Sequence, residues 1–423
     1  DDVGALAQAV SAFTPEAVSV RADVCIDQLR EAARLFAHEC STGAAGGATG
    51  PDMAQGGNLA EHLIECLNIV CGRYLREGDP IEHPGAIQER RPVKAEVIPA
   101  PRWWEHGYKS RIGGFGQFSG ELPTGTLPDE ILEPGPGRVR CLISHGGNPA
   151  SAIPQIEKVE RAFEALDLLV AIEPFMGLTA QMAHYILPPT LQYERADLPV
   201  WLYESLVSPE PYTRYTPAIA ETPADSCVRD DHYYLWAIAK RLGLKLELFG
   251  TPLDMDKAPT TDEILARTAR HAPVPFEEIK RAERGIALDH ETHYVQPGDP
   301  DCPHRFSLVP PDVAEEIRFF ESRLSEPALA RDGFNYRIAV RRMRDSNNSA
   351  GLGLPSIKKR LPFNPAFMNP DDMLAEGLIE GDAVEIASAH GIIRARVQLD
   401  PDLRRNVLSI THAFGSLPRD KQN

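Results

Sequence analysis

Apolar runs alternate with helical segments in the middle of the chain. Residues 139–143 and 168–172 are short runs rich in Val, Ile and Leu, and a third run covers residues 185–187. Helical spacing of apolar side chains occurs between these runs, at residues 154–165 and again from Thr179. Strands that alternate with helices are typical of a parallel sheet covered on both faces. The pattern therefore predicts a doubly wound α/β domain.

Three further segments carry apolar positions three and four residues apart. Each is expected to form one helix, over residues 15–38, 58–73 and 224–245. Residues 78–137 are rich in Pro and Gly, and residues 250–330 are polar and interrupted by Pro. Both stretches are predicted to be irregular excursions, the second with short helices, because neither keeps a period over any length.

From residue 331 the pattern changes to short strands separated by Gly turns. The predicted strands are residues 336–340, 383–388, 391–397 and 406–411. Such strands are typical of a β-barrel. The sequence therefore predicts an α/β domain over residues 1–330 and a β-barrel domain over residues 331–423. The length of 423 residues also favours two domains, because one core stops growing at roughly 250–300 residues.

The composition excludes several classes of protein. The chain has 61 acidic and 44 basic residues, a net charge of −17, so it lacks the excess of cations with which proteins neutralise nucleic-acid phosphates. Its residues are 43% hydrophobic and 25% charged, as in globular rather than disordered proteins. No run of the sequence approaches the roughly 20 apolar residues of a membrane helix, so no membrane span is predicted.

The seven cysteines do not have the spacing of a metal site. They are scattered, and the closest two, Cys66 and Cys71, are five residues apart with no CxxC pair anywhere. Scattered thiols in apolar segments indicate reduced cysteines in a cytoplasmic protein. The periplasm stays open as an alternative, because the chain begins at Asp1 without Met and an N-terminal segment could be missing.

Polar, Gly-containing segments follow two of the predicted strands. Residues 145–149 follow the first strand and residues 173–179 follow the second. Ligands of parallel sheets bind at the carboxyl ends of the strands, so these are the leading candidates for a binding site. The Gly-rich residues 40–57 are a second candidate, because Gly lets backbone amides approach an anion; a flexible surface loop is the alternative. His145 and His412 are expected to be lone, structural histidines.

Five stretches, in this order and at these spacings, resemble one family. They are Ala48–Met53 with Asn58 and Leu67–Arg73; Gly146-Gly-Asn-Pro149; Glu173-Pro-Phe with Thr179, Ile186-Leu-Pro188 and Glu194; Arg341-Arg342 with Asn347-Asn-Ser349; and Asn364-Pro with Met368–Asp372 and Gly377–Val384. The family is that of the molybdopterin oxidoreductases of the dimethyl-sulfoxide reductase type, and the chain resembles its later part.

The resemblance implies a fold and a cofactor. The fold is a Rossmann-like doubly wound parallel sheet followed by a C-terminal double-psi β-barrel, the molybdopterin dinucleotide-binding domain. The family holds two molybdopterin guanine dinucleotides that chelate one molybdenum or tungsten atom, and a [4Fe–4S] cluster is expected from a part not seen here. The implied activity is two-electron redox chemistry on a small substrate, as in formate dehydrogenases and nitrate reductases, with an iron–sulfur or other electron-transfer partner.

The resemblance also implies which residues contact the cofactor. They are Thr49, Met53, Gly147, Asn148, Glu173, Arg195, Asp231, Arg342, Asn347, Asn348, Ser349 and Phe414. Simpler roles remain for three of them: Glu173 as the cap of a turn, Arg195 as a solvated charge and Phe414 as a core residue. The catalytic residue and the metal ligand are not assigned.

The sequence also departs from the family pattern. The cysteine cluster, the metal-ligating residue and the closing strands of the barrel are not visible, so the chain is expected to be a fragment or one part of an enzyme. An aromatic segment at residues 197–215 replaces the usual family run, either to pack against a neighbour or to shape a substrate funnel. Two alternatives stay open, a cofactor-free structural subunit, as in the large iron–sulfur subunit of respiratory NADH dehydrogenase, and a non-redox hydratase. The polar residues kept at Asn148, Glu173, Asp231 and Asn347–Ser349 favour the oxidoreductase.

Overall fold

The computed structural model describes residues 2–199, 209–288, 291–325, 333–360 and 362–415. Residues 200–208 of the aromatic segment at 197–215 lie outside this set. The chain divides into two compact units. The first contains Asp1–Glu82, Arg91–Ala100 and Glu291–Gly333, and the second contains His83–Arg90, Pro101–His290 and Phe334–Asn423. The units interleave along the chain, and the predicted domain boundary after residue 330 stays a prediction.

The strands are numbered in chain order. They are β1 (Pro80–Ile81), β2 (Cys141–His145), β3 (Leu168–Ile172), β4 (Tyr185–Leu187), β5 (Tyr212–Thr213), β6 (Glu247–Leu248), β7 (Thr251–Pro252), β8 (Ile286–Ala287), β9 (His293–Tyr294), β10 (Arg337–Val340), β11 (Pro365–Met368), β12 (Ala383–Ser388), β13 (Gly391–Leu399) and β14 (Val407–Ile410).

The helices are short. In the first unit they are Asp2–Ala9, Pro15–Ala22, Ile26–Arg34, Thr49–Asp52, Gly57–Val70 and Pro311–Glu321, with a π turn at Leu35–Glu39. In the second unit they are Leu127–Leu132, Pro149–Ala152, Ile156–Glu164, Leu178–Met182, Asp231–Arg241, Thr261–Thr268, Phe276–Arg281, Pro355–Arg360 and Pro370–Ala375, with 3-10 turns at Trp103–Glu105, Thr124–Thr126 and Gln192–Glu194. None of the helices within the described ranges is long and apolar enough to cross a membrane.

The prediction of a single helix over residues 15–38 is wrong. Two helices, Pro15–Ala22 and Ile26–Arg34, are separated at Asp23, whose φ of 57° is left-handed. Asp is one of the few side chains that adopt this conformation at modest cost, so the chain turns here without a Gly. The apolar spacing continues across the break, which is why periodicity alone did not reveal it.

The core of the first unit forms between two helices. Leu59 and Leu63 of Gly57–Val70 pack against Val313 and Ile317 of Pro311–Glu321. The predicted helix at 58–73 is confirmed, although it begins one residue earlier and has no side-chain cap. These contacts fix the position of Gly57–Val70, the helix that directly follows the Gly-rich segment.

The central sheet of the second unit is parallel, in the order β2-β3-β4. All three strands were predicted, and β3 has the predicted bounds. Consecutive side chains of a strand point to opposite faces, and Leu169 through Ile172 are all buried, so both faces of β3 are covered. Phe163 of Ile156–Glu164 packs in the same cluster as Leu169. The parallel sheet predicted from the sequence is confirmed.

The predicted irregular excursions contain little sheet. Residues 78–137 form one helix, Leu127–Leu132, beside two 3-10 turns and the two-residue strand β1. Residues 250–330 contain the helices Thr261–Thr268, Phe276–Arg281 and Pro311–Glu321, as the prediction of short helices required. The longer helix predicted at 224–245 is confirmed only over Asp231–Arg241.

The C-terminal residues form a five-stranded mixed sheet in the order β10-β14-β11-β13-β12. β10 with β14 and β11 with β13 are parallel, whereas β11 with β14 and β12 with β13 are antiparallel. Met368, Val397 and Leu408 form the core with Met373. The four predicted strands are confirmed, and β11 was missed. The chain is therefore a mixed α/β protein with a strand-rich C-terminal part.

Candidate functional site

A histidine, an aspartate and an arginine side chain meet at the carboxyl end of the parallel sheet. His145 is the last residue of β2, and its Nε2 lies 3.1 Å from Oδ2 of Asp231. Arg195 donates from Nη1 to the other carboxylate oxygen, Oδ1, at 3.2 Å. An ionised carboxylate only accepts hydrogen bonds, so His145 is the donor in its contact. The expectation that His145 is a lone histidine is wrong.

The start of the helix Asp231–Arg241 is fixed by the preceding residue. Asp230 accepts hydrogen bonds from the hydroxyls of Thr190, at 2.7 Å, and of Thr261. These two bonds tie the first turn of the helix to two distant segments of the chain. They place the neighbouring Asp231 carboxylate at the end of β2.

Opposing effects act on the pKa of Asp231. Burial raises this pKa, but the hydrogen bond from His145 and the positive charge of Arg195 lower it, and the result is a pKa below the usual value. The carboxylate is therefore ionised at neutral pH. Arg195, for which a solvated charge was the alternative, is a partner in this ion pair.

Asn148 joins the ends of β2 and β3. Its Oδ1 accepts from the backbone N–H of Thr179 at 3.0 Å and from the Thr179 hydroxyl at 2.8 Å. The same hydroxyl oxygen accepts from the N–H of Ala150 at 3.0 Å. Thr179 is 2% exposed, so this junction is built into the core. Sequence reasoning placed Asn148 at the site but missed Thr179.

The backbone beside Asn148 leaves room for a ligand. Gly146 has a φ of +60°, which strongly favours Gly, and a Cβ added there would meet nothing within 4 Å. Gly147 follows it, and its carbonyl accepts from the Ser144 hydroxyl at 3.1 Å. At the end of β3, Oε1 of Glu173 accepts from the N–H of Phe175 at 3.1 Å, so Glu173 does cap a turn, with its other oxygen still available as an acceptor.

Arg342 and the Asn-Asn-Ser segment form a second group. Arg342 donates from Nη1 to Oδ1 of Asn348, whose φ of 53° is left-handed. Asn347 accepts at its carbonyl from the N–H of Ala350 at 2.9 Å, which closes a tight turn. The structure therefore brings Arg342 to the segment 347–349 as the prediction grouped them.

Phe414 lines a cavity of about 970 Å³ beside the C-terminal sheet. Asn364, Thr411 and His412 line it too, and Asn364 Oδ1, Thr411 Oγ1 and His412 Nδ1 are each buried with no hydrogen-bond partner in the described part of the chain. Buried polar atoms are nearly always paired in native proteins. This cavity therefore offers three unused hydrogen-bonding atoms to a ligand.

A hydrogen bond connects the lining of this cavity to the segment that follows Asn148. The hydroxyl of Ser151, three residues after Asn148, donates to the carbonyl of Ala413 at 2.9 Å. Ile156 of the following helix also lines the cavity.

Thr49 and Met53 lie in the first unit, at the start and just past the end of Thr49–Asp52, and both are exposed. None of the predicted contacts of the twelve residues with a cofactor is tested by this geometry.

The residues present fit a dinucleotide better than a protein-bound metal ion. Within the described ranges, no group of three or more His, Cys, Asp or Glu side chains could hold a metal. The sheet end offers a guanidinium, a side-chain amide and carboxylates, which suit phosphates and base edges. The orphaned polar atoms around Phe414 are a second place where a polar ligand would satisfy buried groups.

Residues 338–423 match the family model of the Molydopterin dinucleotide binding domain. The match covers β11 to β14, Phe414 and all of β10 except its first residue. Residues 338–423 belong to this domain family, and the chain has homologues among the molybdopterin oxidoreductases of the dimethyl-sulfoxide reductase type. The resemblance drawn from the five sequence stretches is confirmed.

Relatives and a solved structure cover much of the chain. The F420-dependent formate dehydrogenase subunit alpha of Methanocaldococcus jannaschii is 22% identical over 97% of this chain and 59% of its own length. The corresponding subunit of dehydrogenase 1 from Methanococcus maripaludis is 38% identical over 68% of this chain and 40% of its own length.

The acetylene hydratase structure from Pelobacter acetylenicus has a TM-score of 0.63 and 17% identity, over 94% of this chain and 57% of that one. This likeness establishes a shared fold. The chain spans about half the length of the relatives it matches.

Proposed function

We propose that this chain supplies the dinucleotide-binding part of a molybdenum- or tungsten-dependent oxidoreductase. The cofactor would be two molybdopterin guanine dinucleotides on one metal atom, acting on a small substrate. The observation that carries the proposal is the ionised Asp231, held between His145 and Arg195 beside Asn148 at the carboxyl end of a parallel sheet. Ligands of such sheets bind at this end.

One dinucleotide would bind at the sheet end, on a Rossmann-like arrangement of β2, β3 and β4. Asn148 and Arg195 carry donors for phosphate or guanine acceptors, and Asp231 and Glu173 carry acceptors for guanine N–H groups or ribose hydroxyls. Gly147 lets the ligand approach the backbone. Together these side chains would bind and orient the nucleotide.

The other dinucleotide would bind largely on the C-terminal part, which we propose is a double-psi β-barrel. Arg342 with Asn347, Asn348 and Ser349 would hold pterin or phosphate groups, and Phe414 would lie against the cofactor. The three orphaned polar atoms in the cavity beside Phe414 support this assignment. Thr49 and Met53 would contribute contacts from the Gly-rich segment.

When bound, the metal with its dithiolene ligands supplies two-electron redox chemistry, by transfer of an oxygen atom or of a hydride and a proton. This chain's residues would bind the dinucleotides and fix their orientation. A [4Fe–4S] cluster outside the described residues and an electron-transfer partner would remove the electrons. The relatives named as alpha subunits are by name parts of larger enzymes, which supports a partner. The seven free cysteines support a cytoplasmic location.

A cofactor-free structural subunit is the main competing function. Such a scaffold would have little reason to keep this cluster at the sheet end, because a partly exposed ion pair contributes at most about 1 kcal/mol to stability. The cluster His145–Asp231–Arg195 therefore favours cofactor binding.

The test is elemental and nucleotide analysis of the native preparation. We expect about one molybdenum or tungsten atom per chain and release of guanine nucleotide on acid denaturation. The variant Asp231→Asn should retain less of both, whereas Asp167→Asn, which removes a charge from an exposed ion pair with Arg140, should retain both. A folded preparation with neither metal nor guanine nucleotide would contradict the proposal and leave the scaffold.

A further inference from the structure

The orientation of the Asn148 side chain is determined by chemistry. The backbone N–H of Thr179 is an obligatory donor, so the Asn148 atom 3.0 Å from it must be the amide oxygen and not the nitrogen. The Thr179 hydroxyl donates to the same oxygen, because an amide oxygen can only accept, and it accepts in turn from the N–H of Ala150. Oδ1 therefore has two protein donors, both from one buried residue.

The amide nitrogen of Asn148 is left with both of its hydrogens. Among the residues that the structure describes it has no hydrogen-bond acceptor, and it lies where a Cβ on Gly177 would approach it to 3.1 Å. Gly177 thus leaves space for the amide. Rotation that exchanges oxygen and nitrogen is disfavoured, since Nδ2 would then face the N–H of Thr179, which can only donate.

We infer that Thr179 is a positioning residue that makes Asn148 a donor only, so that this site recognises an acceptor atom of its ligand. The inference rests on the proposed nucleotide site. The acceptor is a phosphate oxygen or a guanine ring acceptor, O6 or N7. Recognition of guanine N–H groups is thereby assigned to the carboxylates and not to Asn148.

The deciding variant is Asn148→Asp. An Asp at this position keeps an oxygen for both Thr179 donors, so the junction between the strand ends stays satisfied. Its second oxygen replaces the NH₂ group with a negative charge. If Asn148 serves only to join the strands, the substitution leaves ligand binding intact; if its amide donates to the ligand, binding is lost.

The experiment is titration of the 423-residue chain with GDP, guanosine and pyrophosphate, followed by calorimetry. We expect Asn148→Asp to weaken GDP binding at least about tenfold, because the substitution removes a hydrogen bond to the ligand and places a negative charge against its acceptor atom. A parallel loss for pyrophosphate but not guanosine identifies a phosphate acceptor, and the reverse pattern identifies the base. The matched control Asn369→Asp makes the same exchange at a helix cap away from the site and should bind GDP as the wild type does.

A second pair of variants tests Thr179 itself. Thr179→Val removes the hydroxyl that orients the amide, and we expect GDP binding to weaken several-fold, whereas Thr179→Ser keeps the hydroxyl and should restore it. GDP binding by Asn148→Asp at wild-type affinity overturns the donor assignment. Equal binding by Thr179→Val and Thr179→Ser overturns the positioning role. A wild-type chain that binds none of the three ligands overturns the proposed nucleotide site itself.

Discussion

At the scale of residues, the candidate site depends on side chains that are far apart in sequence. His145 and Asp231 are 86 positions apart, and Arg195 lies between them. The candidate residues could be chosen from the sequence because carboxylates, amides and guanidinium groups at strand ends are typical of ligand-binding sites. Which of these side chains contact one another could not be predicted, because each lies on a different segment of the chain.

The ion pairs of Asp231 predict a pH-dependent contribution to stability. Because the pKa of Asp231 is below its usual value of 3.8, its stabilisation is complete above that value and is lost as the pH falls through the lower, folded-state pKa. We expect Asp231→Asn to lower the free energy of unfolding by about 1 kcal/mol at pH 7. The difference from the wild type should shrink below pH ~4, as measured by urea denaturation across pH.

Asp167→Asn serves as the control for this prediction. Asp167 pairs with Arg140 on the surface, with half of its side chain exposed, so its removal should change stability by less than about 0.5 kcal/mol. A wild-type advantage over Asp231→Asn that grows as the pH falls to 3 would contradict the assigned direction.

At the scale of elements, length and composition distinguish the strands that were predicted from the one that was missed. β3 is a continuous apolar run and was predicted with its bounds. β11, Pro365–Met368, was missed because it has only four residues and begins at a Pro after Asn364. Its place between β13 and β14 gives it hydrogen-bond partners that its own sequence does not indicate. The break between the helices at Asp23 was missed because the helical spacing of apolar residues continues across it.

The central position of β3 predicts a large cost for shortening its buried side chains. Leu169 is fully buried and packs against Phe163. We expect Leu169→Ala to lower the free energy of unfolding by about 2–5 kcal/mol, because it removes buried methyl groups and leaves a cavity. Leu168→Ala, at a partly exposed position of the same strand, should cost clearly less in the same chemical denaturation experiment. Equal costs would show that β3 is not covered on both faces.

At the scale of the whole molecule, the cysteines differ in their exposure to solvent. All seven cysteines are free. Cys66 is buried, and burial, with the nearby charge of Glu65, raises the pKa of its thiol. Cys25, Cys40, Cys141 and Cys227 are exposed. The positions of the seven cysteines are visible in the sequence, but which of the thiols are exposed to solvent is visible only in the structure.

The exposures predict the course of a thiol titration. With an aromatic disulfide reagent at pH 8, we expect the four exposed thiols of the native chain to react first and Cys66 to react only on unfolding, because the thiolate is the reactive form. The variant Cys66→Ala should lose one slow equivalent and none of the fast ones. A fast phase that decreases in Cys66→Ala would contradict the burial of this residue.

The sequence by itself determined the parallel sheet, the strand-rich C-terminal part, the family and the residue types at the strand ends. These follow from local properties: hydrophobic period, strand-forming composition and short motifs in a fixed order. Only the tertiary structure decided that Asp231 lies between His145 and Arg195, that Thr179 holds the Asn148 amide, and that polar atoms remain unpaired beside Phe414. The physical reason is that a hydrogen bond or a cavity requires two or more segments at defined distances. That proximity is set by how the whole core packs and not by any one segment.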